Sequence, residues 1–314
     1  MRVLVTGSGG FVGTHLVALL EARGHEVVRA DHRGGDDVLA LDVRDPLAVR
    51  GAVELAQPEA IAHLAAQAFV PASLEDPAAT FDVNATGTLH LLDAARALAA
   101  DTGIAPRVLV VGSADVYGVQ PPDAFPLRET APLAPRSPYA ASKVAAEALA
   151  IAFARSFGVD AVATRAFNHI GPGQDERFAV AAFAAQIARV AACGDPRVLV
   201  GNLESIRDFL DVRDVCEAYA LLLEGAGAAG EVYNVASGSG IAMREVLRRL
   251  IDLARVGVEV REDPARMRPA DVPVSIGDAA KLRAATGWTP RIPLTAALRA
   301  VYDDARTRAA ASAR

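Results

Sequence analysis

The amino-acid sequence predicts an α/β protein, a doubly wound parallel sheet carrying a smaller α/β C-terminal lobe. Short apolar runs alternate with longer helical patterns from residue 2 to residue 166. A glycine-rich turn separates the first run from the first helical pattern. The rhythm then weakens beyond Phe167, where Gly171-Pro172-Gly173 breaks it. Strands alternating with helices pair in parallel, because each helix carries the chain back to the end where the previous strand began.

Arg2 to Thr6 reads as a buried strand, since Val3, Leu4 and Val5 are continuous apolar residues ended by glycines. A helix is expected from about Val12 to Arg23, with Leu16, Leu19 and Leu20 on one face and Gly24 as the stop. Val27–Ala30 and Ala60–Leu64 are the next strands, and Ala78–Ala100 is a long helix. Arg107–Gly112 is a strand, Tyr139–Phe157 a helix and Ala161–Ala166 a strand. In the second half, helices are expected near 178–193, 214–224 and 244–255, and short strands at 197–200 and 258–261. Val232–Val235 has the composition to return to the first sheet, and the Pro-rich stretch 268–273 reads as a surface loop.

The chain has 314 residues, 52% of them hydrophobic, enough for one large core or a core with a smaller lobe. Its net charge of −6 argues against a protein that coats nucleic acid, which needs a basic face. Cys193 and Cys216 form no disulfide framework and lack metal-site spacing, so they read as reduced, partly buried thiols and no metal is expected. No apolar run is long enough to span a membrane, and the apolar start is too short for a signal sequence. A cytoplasmic protein is the expectation.

The motifs carry the chemistry. Gly7-x-x-Gly10-x-x-Gly13, with Phe11 and Val12 inside it, lies between the first strand and the first helix. A dinucleotide pyrophosphate must approach the backbone at a helix N-terminus, where side chains would block it. Residues 1–166 therefore read as a Rossmann-like NAD(P)-binding domain, and 167–314 mainly as a substrate lobe whose later segments return to the first. Asp31, at the end of the second strand, can accept hydrogen bonds from the adenosine ribose and favours NAD(H); Arg33 nearby could instead serve the 2′-phosphate of NADP(H). Asp42 and Val43 stand where a segment can cap the adenine edge, although an ordinary loop acid before a helix fits equally well. Leu64, Ala65 and Ala66 are small or apolar residues that let backbone approach a cofactor, and His63 before them reads as a core histidine. Asn84, inside a helical pattern rich in Ala and Leu, needs a partner and could support the cofactor loops or tie helix to strand.

Tyr139-x-x-x-Lys143, preceded by Ser113, is the chemical centre. Tyr139 and Lys143 lie one helical turn apart and share a face. A nearby ammonium is expected to lower the phenol's pKa, and Ser113, ending a strand, can bond a carbonyl or alcohol oxygen.

These residues resemble the extended short-chain dehydrogenase/reductases that modify nucleotide sugars. The resemblance rests on the segments 6–13, 113–118, 137–143 and 287–290 and spans nearly the whole chain. The segments 165–174 and 201–209, with 263–273 behind them, look like the GDP-mannose branch. That likeness implies reduction of the 4-keto group of GDP-4-keto-6-deoxy-D-mannose with NAD(P)H, giving GDP-D-rhamnose. Tyr139 would donate the proton, Lys143 would tune it and hold the nicotinamide ribose, and Ser113 would polarise the carbonyl. Phe167 and Asn168 would lie at the nicotinamide and the sugar diphosphate. Arg207, Arg268 and Asp271 would meet the diphosphate and the guanosine ribose. The family's dehydratases place a glutamate two residues after the Ser/Thr, where this chain has Asp115, and some carry an acid one residue earlier, where it has Ala114. Net reduction is therefore favoured over dehydration. A 4-epimerase using the same Ser-Tyr-Lys set is the other rival, and an NAD(P)-binding sensor is the non-enzymatic one. The resemblance also implies a homodimer built on the helices near 78–100 and 139–157.

Overall fold

The computed structural model describes residues 1–193, 195–267 and 272–312. The first half runs β1 (Arg2–Thr6), α1 (Phe11–Ala22), β2 (Glu26–Asp31), β3 (Val38–Ala40), α2 (Pro46–Ala56), β4 (Ala60–His63), α3 (Val70–Glu75), α4 (Pro77–Phe81), α5 (Gly87–Thr102), β5 (Arg107–Val111), α6 (Pro138–Phe157) and β6 (Ala161–Ala166). The second half runs β7 (Asn168–Ile170), α7 (Ala179–Cys193), β8 (Arg197–Val200), β9 (Ile206–Asp211), α8 (Val212–Leu223), β10 (Val232–Val235), β11 (Gly240–Ala242), α9 (Met243–Ala254), β12 (Glu259–Glu262), β13 (Val274–Ser275), α10 (Ala280–Thr286) and α11 (Leu294–Ser312).

The main sheet has the order β10-β6-β5-β4-β1-β2-β3, with every neighbouring pair parallel. Its strands are apolar on both sides because both faces are covered. Val3, Val5, Leu109 and Val162 pack with residues of α1 and α8, and Leu4, Ile61, Val108 and Val110 pack with residues of α2, α5 and α6. β10 does return to this sheet, beside β6. The second lobe is built from the small sheet β11-β9-β13 with β7 on β9, the pair β12-β8, and α7, α9 and α11 around a separate core.

Two segments depart from expectation. The predicted helix 78–100 is three pieces: α4, a π-helical turn over Asp82–Thr86, and α5. The extra residue per turn lies where Asn84 is turned inward, which an unbroken 3.6-residue pattern does not reveal. The helix α11 was not anticipated. Its alanine-rich sequence has a weak polar–apolar contrast, and burial of Ala297, Leu298, Val301 and Tyr302 against the second lobe fixes it. Cys216 is a buried free thiol among the described residues.

Candidate active site

The glycine turn is shaped by close contacts. Gly7 has φ +71°, and a Cβ there would lie 2.7 Å from the Ala65 nitrogen. A Cβ on Gly13 would lie 2.1 Å from the Gly7 carbonyl oxygen. Gly10 caps α1 without a side-chain bond, and the first turn, which includes Phe11 and Val12, holds no acid. The helix therefore offers free N–H groups and the positive end of its dipole. A dinucleotide pyrophosphate fits that cradle. Across the turn, the Leu64 N–H donates to the Thr6 carbonyl at 3.2 Å and the Ala65 N–H to Thr6 Oγ1 at 3.3 Å, so the loop of Leu64, Ala65 and Ala66 lies against Gly7.

Asp31 ends β2 and is drawn into this turn. Its Oδ2 accepts the Gly9 N–H at 3.1 Å, and Oδ1 lies 2.9 Å from His32 Nδ1. The Arg33 N–H donates to Asp31 at 3.4 Å, while the rest of Arg33 is exposed. Asp42 is tied to Arg44 at 2.7 Å, which holds its carboxyl below the usual range. The Val43 side chain is buried in the core, where a Cβ on Gly87 would clash with it. Asn84 is 1% exposed. Its Oδ1 accepts the Gln67 N–H at 2.8 Å, and its Nδ2 donates to the Gln67 carbonyl and to Ser142 Oγ at 3.0 and 2.9 Å. Both amide protons are engaged, so Asn84 ties the 64–67 loop to α6.

Ser113, Tyr139 and Lys143 lie on or just after neighbouring elements, β5 and α6. Ser137 caps α6 by accepting the Ala140 N–H at 3.1 Å, with Pro138 at the first helical position. That start fixes Tyr139 in the first turn. The Tyr139 hydroxyl lies close enough to Ser113 for that side chain to favour its ionised form. Ser113 follows β5 and caps a 3-10 turn over Ala114–Tyr117, its Oγ accepting the Asp115 N–H at 3.2 Å. Lys143 is buried and donates from Nζ to the Val111 carbonyl at 2.8 Å. Burial lowers its pKa to about 8, so it remains an ammonium at neutral pH.

One electrostatic expectation is overturned. The Tyr139 pKa is raised, first by burial and then by the charge of Asp115, against the opposing Ser113 bond. Lys143 is engaged with Val111, and desolvation of the phenolate dominates. The phenol is thereby kept protonated, as a proton donor must be. His63 is buried and held neutral, its pKa lowered to about 3 by burial and by the Lys143 charge. It pairs through Nδ1 with Thr6 Oγ1 at 2.8 Å.

The second lobe carries the residues expected at the substrate. Asn168 in β7 is exposed and pairs with Phe209 of β9, the strand that also carries Arg207. Arg207 donates to the Ile206 carbonyl at 2.9 Å. The Phe167 ring is buried against Tyr117, and a Cβ on Gly277 would strike it at 2.3 Å. Arg268 and Asp271 lie outside the described residues.

Sequence reasoning missed two features. Phe11 of the glycine turn stacks on His169, with centroids 6.1 Å apart and planes at 8°, which links the two lobes. A buried pair, Glu147–Arg165, lies beneath the catalytic helix. Its signal was the i, i+4 spacing Tyr139, Lys143, Glu147 on α6.

Comparison with known proteins gives consistent results. The family model for GDP-mannose 4,6-dehydratase matches residues 4–301. The chain is 41% identical to a GDP-6-deoxy-D-mannose reductase of Pseudomonas aeruginosa over 310 residues, covering 98% of each chain. It is 30% identical to GDP-mannose 4,6-dehydratase 2 of Arabidopsis thaliana over 96% of this chain and 86% of that one. Among solved structures, RMD of Pseudomonas aeruginosa in complex with NADPH superposes with a TM-score of 0.87 at 39% identity, covering 98% of this chain and 100% of that one. The Thermus thermophilus UDP-glucose 4-epimerase with NAD also gives a TM-score of 0.87, at 35% identity over 98% of this chain and 99% of that one.

Proposed function

Since this chain belongs to the GDP-mannose 4,6-dehydratase family, we propose that it is the NAD(P)H-dependent 4-ketoreductase that converts GDP-4-keto-6-deoxy-D-mannose to GDP-D-rhamnose. The observation that supports this reading is the buried Tyr139 at the start of α6, near Ser113 just after β5 and one helical turn from the buried Lys143.

A reduced nicotinamide, held by the glycine turn and the 64–66 loop, would supply a hydride for C4. Ser113 donates a hydrogen bond to the C4 oxygen and orients it beside Tyr139. As the C4 oxygen gains charge, the Tyr139 hydroxyl transfers its proton to it, and the O–H electron pair stays on the phenolate. Lys143 stabilises that phenolate until it is reprotonated. The open N-terminus of α1 and the 64–66 loop would hold the pyrophosphate, and Asn168 and Arg207 the sugar diphosphate. Arg268 and Asp271 complete the proposed nucleotide site. Asp31 favours NAD(H), because its carboxylate repels a 2′-phosphate.

Asp115 and Ala114, where the family's dehydratases place a glutamate and in some cases a second acid, support reduction over dehydration. The test is to supply the 4-keto sugar with NADH and with NADPH and to follow absorbance of the reduced nicotinamide. Consumption with neither cofactor, in folded protein, removes the reductase reading. Interconversion of nucleotide hexoses with no net use of cofactor would instead support an epimerase.

We further propose a cytoplasmic homodimer, with no nucleic-acid or membrane partner. No described helix is long and apolar enough to cross a membrane. Leu89 on α5 and Ala148, Ala152 and Phe157 on α6 are exposed and form the face for a second copy. Light scattering at twice the mass of one chain is the expected result.

A further inference from the structure

Behind the catalytic set lies a buried polar network that the proposed reaction does not itself use. Glu147 follows Lys143 by one turn on α6, and its carboxylate receives Arg165 of β6 in a two-pronged bond, Nε at 2.8 Å and Nη2 at 2.6 Å. Arg165 continues from Nη1 to the Tyr117 hydroxyl and to the Glu129 carbonyl, each at 2.9 Å, and its guanidinium lies 4.8 Å from the Tyr117 ring centroid. The Tyr117 hydroxyl donates in turn to Asn234 Oδ1 of β10 at 2.7 Å. Asn234 Nδ2 donates to the Leu127 carbonyl at 2.8 Å. Tyr117 and Asn234 are fully buried, and Glu147 and Arg165 nearly so.

A buried ion pair is weak evidence for stability, since desolvation offsets much of its attraction. What this one does have is geometry. Tyr117 ends the 3-10 turn that begins after Ser113 and contains Asp115. Glu147 stands on the same helix face as Tyr139 and Lys143. Arg165 therefore grips both the turn carrying Ser113 and Asp115 and the helix carrying the phenol and the amine. We propose that Arg165 is a positioning residue that locks the Ser113–Tyr117 turn to α6 and so sets Ser113 and Asp115 against the Tyr139 hydroxyl. The role rests on the reductase reading for its kinetic consequence, but not for its structural one.

Asp115 and Ser113 of the turn act on the Tyr139 hydroxyl in opposite senses, Tyr219 of α8 feels its charge, and the Lys143 amine is turned to the Val111 carbonyl. The negative Asp115 opposes ionisation of the phenol. If the turn drifts, Ser113 and Asp115 leave the phenol together, and proton transfer from a misplaced donor pair slows without loss of sugar binding.

The test uses full-length Tyr117→Phe and Arg165→Lys beside the wild type. Tyr117→Phe keeps the ring and removes only the hydroxyl, so it serves if Arg165→Lys fails to fold. Expected are a kcat about tenfold lower and a KM for the nucleotide sugar within about twofold. Amide hydrogen exchange, which needs no turnover, should quicken at 113–117 and stay unchanged in β1 and β4. Folded Tyr117→Phe with an unchanged kcat overturns the kinetic role, and unchanged exchange at 113–117 overturns the positioning itself. A wild type that does not reduce the sugar while exchange quickens as expected sinks the reductase reading and leaves the positioning standing.

Discussion

The Asp31 carboxylate accepts the main-chain N–H of Gly9 at 3.1 Å, so the acid at the end of β2 is fastened to the turn that meets the pyrophosphate. Its position is set by the backbone and not by a mobile side chain. Asp31→Ala should lower kcat/KM with NADH and raise it with NADPH, moving the ratio by tenfold or more, which is about 1.4 kcal/mol. Arg33 remains in place to meet the 2′-phosphate. Initial rates with the two cofactors check it, and an unchanged ratio would place the discriminating residue elsewhere.

Tyr139→Phe removes the hydroxyl and keeps the buried ring. The loss in kcat should be about 10²–10⁴-fold, the usual range for a positioned acid. Binding of NADH, followed by its fluorescence, should be little altered. Near-wild-type turnover would require a different proton donor.

Lys143 ties stability to pH. Burial lowers its pKa from 10.5 to about 8, so between those values the unfolded chain binds more protons than the folded one. Stability contributed at this site therefore rises with pH from 8 towards 10.5, and below 8 the burial cost is felt in full. Lys143→Met should be inactive yet melt at a higher temperature than the wild type at pH 7, with the gap narrowing as pH approaches 10.5. The ceiling is on the order of 3 kcal/mol, reduced by the lost bond to Val111. Equal melting temperatures across this range would contradict it.

Gly13→Ala cannot be accommodated without moving the turn, because its Cβ would stand 2.1 Å from the Gly7 oxygen. Loss of cofactor affinity by more than tenfold is expected, read by NADH fluorescence titration. Gly24→Ala is the control. Its φ of +80° is unfavourable for alanine, but a Cβ there meets nothing within 4 Å, so cofactor affinity should hold while stability falls by about 1 kcal/mol.

Much of the site was legible because its signals are local. The glycine spacing, the strand-ending Ser113 and the Tyr139–Lys143 pair each follow from a helix turn or a strand end. Asn84 was legible only as a buried amide, since its partners Gln67 and Ser142 are distant in sequence and the π-helical turn that aims it has no simple pattern. The rise in the Tyr139 pKa was not legible, because burial is a property of the assembled lobes. Glu147, Arg165, Tyr117 and Asn234 come from four separate elements, and nothing in their spacing announces that they meet.

β10 lies at the edge of the main sheet beside β6, although the chain has by then built β7, β8, β9, α7 and α8. The two lobes are stitched, not joined end to end. Severing the polypeptide after residue 166 would strip β6 of its neighbour and bare a row of amide and carbonyl groups. Anyone wishing to transplant the second lobe onto another scaffold must splice at several junctions, leaving 212–236 and 279–288 behind with the sheet they complete.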